Sequence, residues 1–515
     1  MPAIGIGISG GGLPAALNGA GTFKAFDSRT EGSTAKGQLG GLLQSATYFS
    51  ALSGGSWALG SIYINNFTAV SALQDNLWDF SPASFFQGPL DDPTQFWGNI
   101  TAEVTAKRKA GFMVSDADIW GRIQGYFFFN ASHGGVDFTW PSIAKTPAFQ
   151  NAEMPLPLVV SRGQSFDKIL ESPADTEPFF EVSPWEFGTY DHSIHGFAPL
   201  EYLGTRFVNG RVSPNETCVR GFENAGFITG SSSDIWNQGK SGDISGPAAQ
   251  LFKLVIQSVT IAINSTNSSL AGSAAYGPNP FYHFNTHSPL ARDEVLRVVD
   301  GGEGGHNIPF NPLIQRKRNL DVIFAADTSG SEADDYWPDG SAVVNTYNCS
   351  LTGLADIPFP PVPDVNTMKN LGLNAQPSFF GCNSSNLTSP VPLVVYLPNH
   401  PVTAATNDTL LDTEFNASRR DAWITNGTLD SEWSTCVGSA ILSRSFDRTG
   451  TVVPESCSRC FRRYCWNGTV DSRSPAPYRP SNTPVPTTSM ASRGSAVGVV
   501  WSVIGMVGMV LLVGV

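Results

Sequence analysis

Three glycine-rich turns carry the residues whose types and spacing could do chemistry. Gly7-Ile8-Ser9-Gly10-Gly11 fits the nucleophile-elbow pattern G-x-S-x-G, and Ala51-Leu52-Ser53-Gly54-Gly55 fits it except for Ala at the first position. Such an elbow needs a strand before it and a helix after it, so that a hydroxyl stands on a sharp turn. Both segments read that way, and pattern alone selects Ser9. Together they suggest a division of labour: one turn presents a hydroxyl, the other gathers backbone N–H groups at a helix start, where an oxyanion or phosphate is stabilised. Acyl transfer requires both parts. Asp300, followed by Gly301-Gly302, closes an apolar run. Its carboxylate therefore stands at a strand's C-terminal end, where α/β enzymes place functional groups, although Asp before Gly is also a common turn former. His306 and His400 follow it in the order Ser, Asp, His, which leaves a hydrolase triad open. A dinucleotide fold is disfavoured, because Gly5 and Gly7 of the G-x-G-x-x-G spacing fall inside the strand and no acidic residue closes a second strand at the required distance.

The elements that must position these residues are legible as apolar runs bounded by Gly or Asp. Ile4 to Ile8, Thr47 to Leu52, Leu296 to Val299, Leu320 to Ala326 and Leu393 to Leu397 read as buried strands of a mostly parallel sheet. Pro14 to Phe26, Leu39 to Ala46 and Ser56 to Tyr63 read as helices, the first with Pro in its opening turn. The fold class is α/β, with helices flanking the sheet. The stretch from about Asn65 to Pro280, rich in Gly, Pro, Trp and Phe, shows no repeat and reads as insertions on that core. Within it, the aromatic run Tyr126-Phe127-Phe128-Phe129 suits core packing better than an acyl channel.

The chain has 515 residues, a formal charge of −13, 41% apolar and 15% charged residues. That length supports a large buried core, and the acidic balance argues against nucleic acid as a partner. Thirteen Asn-x-Ser/Thr sequons, at Asn66, Asn99, Asn130, Asn215, Asn264, Asn267, Asn348, Asn383, Asn386, Asn407, Asn416, Asn426 and Asn467, point to a secreted glycoprotein. Seven cysteines, with no histidine beside any of them, read as disulfides with one thiol left over; Cys457, Cys460 and Cys465 would need a distant fourth ligand to hold zinc. Residues 471–495 form a Ser/Thr/Pro-rich stalk, and residues 496–515 are uncharged and end at Val515 with no basic residue behind them. This layout suits a GPI-attachment signal, with a terminal membrane helix as the alternative. Met1-Pro2-Ala3 leads directly into the first strand without a signal peptide, so the expectation is that the true N-terminus lies upstream.

Ser9-Gly-Gly-Gly12 with Leu17-Asn-Gly-Ala-Gly21, Gly41-Leu-Leu-Gln-Ser-Ala-Thr-Tyr48, Leu52-Ser-Gly-Gly-Ser-Trp57, Asn224-Ala-Gly-Phe227, Asp300-Gly-Gly-Glu303, Asn307-Ile-Pro309, Asp321-Val-Ile-Phe-Ala325 and Cys457-x2-Cys-Phe-x2-Tyr-Cys-Trp466 occur in that order. The set resembles the fungal lysophospholipase (phospholipase B) family, which shares its catalytic domain with cytosolic phospholipase A2. The resemblance implies a catalytic domain over residues 1–470, lysophospholipid or phospholipid as substrate and no cofactor or metal, and the C-terminal tail adds a GPI-anchored place at the membrane surface. It implies Ser53 as nucleophile, Asp300 as its partner in a Ser–Asp dyad, the Gly11 and Gly12 amides as oxyanion hole, and no catalytic histidine. An Asp of ordinary pKa near 4 is a weak base for a hydroxyl, so such a dyad would lean on the amides. The family has Arg two positions after the third glycine, to hold the substrate phosphate, where this chain has Pro14. Poor phospholipid turnover is therefore expected. The alternatives are a catalytically impaired surface glycoprotein on the same fold and a Ser-His-Asp triad esterase.

Overall fold

The apolar runs form strands at the expected places. The structure is a computed structural model and describes residues 1–81, 85, 87–165, 177–235, 253–257, 259, 272–285, 287–352, 357–387, 390–426, 432–478 and 480. In chain order the strands are β1 (Ile4–Ile8), β2 (Tyr48–Leu52), β3 (Leu156–Gly163), β4 (Phe179–Val182), β5 (Glu186–Thr189), β6 (Gly196–Pro199), β7 (Phe207–Val208), β8 (Arg211–Val212), β9 (Ala274–Tyr276), β10 (Leu296–Asp300), β11 (Val322–Asp327), β12 (Ser378–Phe380) and β13 (Leu393–Pro398). β7 and β8 form a separate small ribbon; the others make one sheet in the order β12-β13-β11-β1-β2-β3-β4-β5-β6, with β10 pairing β3 and β9 pairing β10. The central five, β13 to β3, are parallel. Antiparallel strands extend them on either side.

The Ile-Gly-Ile-Gly-Ile repeat of β1 shows why the sheet packs tightly here. Ile8 lies against Gly19 of the helix Gly12–Phe26, while on the other face Gly5 and Gly7 leave room for Leu313, Leu320 and Pro309. A side chain at Gly5 would collide with Leu320 at 2.6 Å.

One pairing decides where the chemistry can occur. Along one edge of β3, β2 runs parallel as far as Leu52 opposite Val160. β10 runs antiparallel along the rest of that edge and ends with Asp300 opposite Ser161. The two strands thus meet head-on, and the residues at their C-terminal ends become neighbours. This central strand comes from the stretch that the sequence suggested was insertion. Its run is bracketed and interrupted by Pro155 and Pro157, and proline counts against a strand. The same stretch supplies β4 to β6, β9 and the helices Asp116–Phe128 and Ala225–Ser232. Phe127, Phe128 and Phe129 are buried, the first two among the rings of Phe80 and Phe85, so this run is core.

Disulfides join Cys382 to Cys465 and Cys436 to Cys460. They tie the helices Trp433–Thr449 and Glu455–Tyr464 to each other and to the end of β12. Cys460 and Cys465 thus belong to different bonds and do not form a zinc site with Cys457; Cys218, Cys349 and Cys457 take part in neither bond. Asn66, Asn130, Asn215, Asn348, Asn383, Asn416 and Asn467 are exposed, and Asn99, Asn407 and Asn426 are half-buried. Asn426 is already engaged: its Nδ2 donates to the His400 carbonyl (2.9 Å) and to Thr406 Oγ1 (2.8 Å). Asn264, Asn267, the Asn386 side chain and the 496–515 tail lie outside the described residues.

Candidate active site

The turn after β2 holds Ser53 in a conformation a side-chain-bearing residue rarely adopts, with φ of +49°. Its backbone polar groups are fixed. The Ser53 N–H donates to Ser232 Oγ (3.0 Å) and Ser56 Oγ donates to the Ser53 carbonyl (2.6 Å), while its side chain is among the groups that favour the charged form of the Asp300 carboxyl. The turn after β1 treats its serine differently. Ser9 is fully buried, and its Oγ accepts from Thr328 N (2.8 Å) and donates to the Gly10 carbonyl (3.0 Å). The better pattern match is thus a structural tie, while the strained backbone is at Ser53.

The two turns touch through backbone. Gly11 (φ +132°) and Gly12 (φ +66°) open the helix Gly12–Phe26, whose first N–H groups have no carbonyl of their own helix to bond. A Cβ on Gly54 would stand 1.8 Å from the Gly12 carbonyl oxygen, one on Gly12 2.1 Å from the Leu410 carbonyl oxygen, and one on Gly10 2.9 Å from Ser53 Cβ. No residue larger than glycine fits at Gly12 or Gly54 without moving backbone. The helix start and the hydroxyl are therefore within one small site.

Asp300 completes it. Burial pushes its carboxyl up to about 6, opposed by hydrogen bonds from the Ser53 hydroxyl and from Gly302 N–H (2.7 Å). The expectation of an ordinary carboxylate near 4 is corrected accordingly. A base at about 6 is closer to the value that suits proton transfer at neutral pH. No histidine is among the groups acting on this carboxylate. His306 packs edge-on against Phe179, at 5.4 Å between rings, in a recess also lined by Leu52, Val160 and Ile308. His400 lies at the end of β13, two strands from β1, with Nδ1 3.3 Å from the Pro398 carbonyl, and burial holds its pKa down. Pro14 is buried in the first turn of its helix.

Three further residues shape the site. Asn307 accepts from Gly10 N–H through its carbonyl (2.9 Å) and places its side chain against Gly302. Asp234 accepts from the Asp300 N–H through its carbonyl (3.0 Å). Ser232 accepts from Ser53 N–H as above. Asn307 falls in one of the motifs already noted, but Ser232 sits in a Ser231-Ser232-Ser233 run with no distinguishing signal.

The profile of the family described as "Lysophospholipase catalytic domain" matches residues 4–471. The chain belongs to the lysophospholipase family. Lysophospholipases are carboxylic ester hydrolases. The chain is 50% identical to lysophospholipase 1 of Aspergillus fumigatus, over 93% of this chain and 78% of that one. It is 48% identical to a lysophospholipase of Penicillium chrysogenum (93% and 81%) and 40% identical to lysophospholipase 1 of Saccharomyces cerevisiae (92% and 74%). Among solved structures it resembles human GIVD cytosolic phospholipase A2, with a TM-score of 0.58 at 15% identity. That likeness covers 90% of this chain but only 60% of the human chain, and it concerns the fold.

Proposed function

We propose that the chain hydrolyses fatty-acyl esters of glycerophospholipids, lysophospholipids first among them, through a Ser53–Asp300 dyad and an acyl-enzyme. Ser53 Oγ attacks the acyl carbonyl carbon and its proton passes to Asp300. The oxyanion is held by the N–H groups of Gly11 and Gly12, where preorganised dipoles matter most. Collapse of the tetrahedral adduct expels the glycerol-side alcohol, which takes the proton from Asp300. Water, deprotonated by the same carboxylate, then releases the fatty acid and restores Ser53. The observation that carries this reading is the strained Ser53 turn meeting the buried Asp300 carboxyl, where β2 and β10 end head-on, beside a glycine-built helix start. The test is fatty-acid release from a lysophospholipid by the purified chain and its Ser53→Ala variant; release by both at the same rate overturns it.

A second reading is favoured by Pro14. A proline cannot give a phosphodiester the paired hydrogen bonds of a guanidinium, so neutral acyl esters would be turned over better than phosphate-bearing ones, and in the extreme the chain is a surface glycoprotein with little activity. Rates on a neutral ester and a lysophospholipid of equal chain length decide between them. For the cellular setting we propose a secreted, GPI-anchored glycoprotein, with residues 471–495 as stalk and 496–515 as attachment signal. Release from cells by a phosphatidylinositol-specific phospholipase is the expected outcome.

A further inference from the structure

Ser232 bonds both to Ser53 and to the residue that follows Asp300. It ends the helix Ala225–Ser232 and is fully buried. Its Oγ accepts from Ser53 N–H (3.0 Å) and donates to the Val160 carbonyl (2.6 Å), and its carbonyl accepts from the N–H of Gly301, next to Asp300 (3.2 Å). The next residues extend the brace. Ser233 Oγ receives Trp57 Nε1 (3.1 Å) from the helix that begins at Ser53, and the Asp234 carbonyl receives the Asp300 N–H (3.0 Å). The helix itself is held close, since Cβ atoms on Gly121 or Gly226 would meet the facing backbone at 2.0 and 2.6 Å.

We propose that Ser232 is a positioning residue for the Ser53–Asp300 pair: its hydroxyl bridges the elbow amide to the Val160 carbonyl of β3 and so fixes the distance between nucleophile and base. Three observations carry this. First, a φ of +49° at Ser53 persists only where surrounding contacts over-determine it, and the Ser232 hydroxyl is the partner of the Ser53 amide. Second, β2 and β10 meet head-on at Val160 and Ser161 without pairing with each other, so the junction needs a brace from outside the sheet. Third, the amide that Ser232 occupies is thereby withheld from the oxyanion, which leaves that role to the glycine turn after β1. The proposal rests on Ser53 being the nucleophile.

The test compares wild type with Ser232→Ala, Ser232→Cys, Ser231→Ala and Ser53→Ala on one acyl ester, each rate expressed per folded molecule after thermal melting. Ser231 is an equally buried neighbour whose Oγ donates to the Phe227 carbonyl (2.7 Å) and accepts from Tyr276, away from the pair. Ser232→Ala is expected to lower kcat about 10- to 100-fold with KM changed less than about threefold, the signature of a displaced reactive group. Phosphonylation of Ser53 by a fluorophosphonate should slow in parallel. Ser232→Cys, which keeps a weak acceptor of similar size, should fall between Ala and wild type. Ser231→Ala should lower the melting temperature and leave kcat within about twofold. An unchanged kcat in Ser232→Ala, or equal losses in Ser231→Ala and Ser232→Ala, overturns the positioning role while Ser53→Ala stays inactive. Full activity in Ser53→Ala overturns the nucleophile assignment instead.

Discussion

The chain turns from strand to helix through serine and glycine twice, after β1 and after β2, and puts the two turns to opposite uses. At Ser9 the hydroxyl is spent on Thr328 and Gly10, the backbone after it runs through two positive-φ glycines, and the products are helix-start amides. At Ser53 the strain sits on the serine, its own amide is taken by Ser232, and the hydroxyl faces a carboxylate. Local pattern is nearly the same in both. What separates them is which neighbouring strand ends nearby: β11 delivers Thr328 to the first turn, β10 delivers Asp300 to the second.

The largest effect should come from exchanging hydroxyls for methyl groups. Ser53→Ala should lose at least about a thousandfold in turnover. Ser9→Ala should keep kcat within about tenfold and instead lose roughly 1–3 kcal/mol of stability, because a buried Thr328 N–H is left without its acceptor. The reverse result, with Ser9→Ala inactive and Ser53→Ala normal, would exchange the roles of the two turns.

The close backbone contacts of the two turns are tested next. Gly54→Ala drives a methyl into the Gly12 carbonyl at 1.8 Å and Gly12→Ala one into the Leu410 carbonyl at 2.1 Å, and each should cost at least about a hundredfold in kcat or fail to yield folded protein. Gly41→Ala, also at positive φ but facing open space, should cost only about 1 kcal/mol of melting stability and no activity.

A third comparison concerns acids. Asp300 and Asp327 are both buried and both pushed up to about 6; Asp327, behind the first turn, is held by Tyr396 Oη (2.8 Å) and Ser329 N (2.9 Å). In the proposed dyad Asp300 acts as a charged base, so kcat/KM should fall about tenfold per unit as pH drops below about 6. Asp327→Asn should leave that limb in place. Stability runs the other way. Because the folded chain holds the Asp300 proton more tightly than the unfolded chain does, its contribution is full below about pH 4 and is lost as pH rises through about 6. From 3.8 to about 6 the loss is roughly 3 kcal/mol. Asp300→Asn should therefore be inactive yet melt no lower than wild type at pH 7, and an equal melting difference at pH 4 and pH 7 would refute the buried charge.

The smallest effect distinguishes substrates on the amide side. Pro14→Arg should raise kcat/KM for a lysophospholipid about tenfold, as a charge-assisted hydrogen bond worth roughly 1.5–3 kcal/mol allows, and leave a neutral ester nearly unchanged. Its melting must be compared first, since Pro14 is buried in the first helical turn.

Much of this was legible in the sequence. The runs ending at Ile8, Leu52 and Ala326 have the length and apolar content of buried parallel strands and form them; the run ending at Val299 reads the same way but pairs antiparallel. The ordered motif set points to Ser53 and the local pattern to Ser9, and the structure ties the Ser9 hydroxyl to Thr328 and Gly10. β3 was hidden by its prolines, and with it the reason Ser53 and Asp300 meet. Ser232 was invisible for a different reason: its role depends on where a helix ends in space, and a serine among serines carries no periodicity. The raised carboxyl of Asp300 likewise comes from burial by segments far along the chain.

The head-on meeting of β2 and β10 also bears on how the protein is made. Ser53 leaves the ribosome about 250 residues before Asp300, so a half-synthesised chain can hold β1, β2 and β3 with an elbow that has no base. Pairings this distant in sequence form late, since chain closure must precede the contacts that reward it. With the proposed Ser53–Asp300 pair, the growing polypeptide is expected to stay inactive until β10 slots onto the vacant half of β3. Recovery of ester cleavage after dilution from denaturant should accordingly lag behind recovery of helical signal.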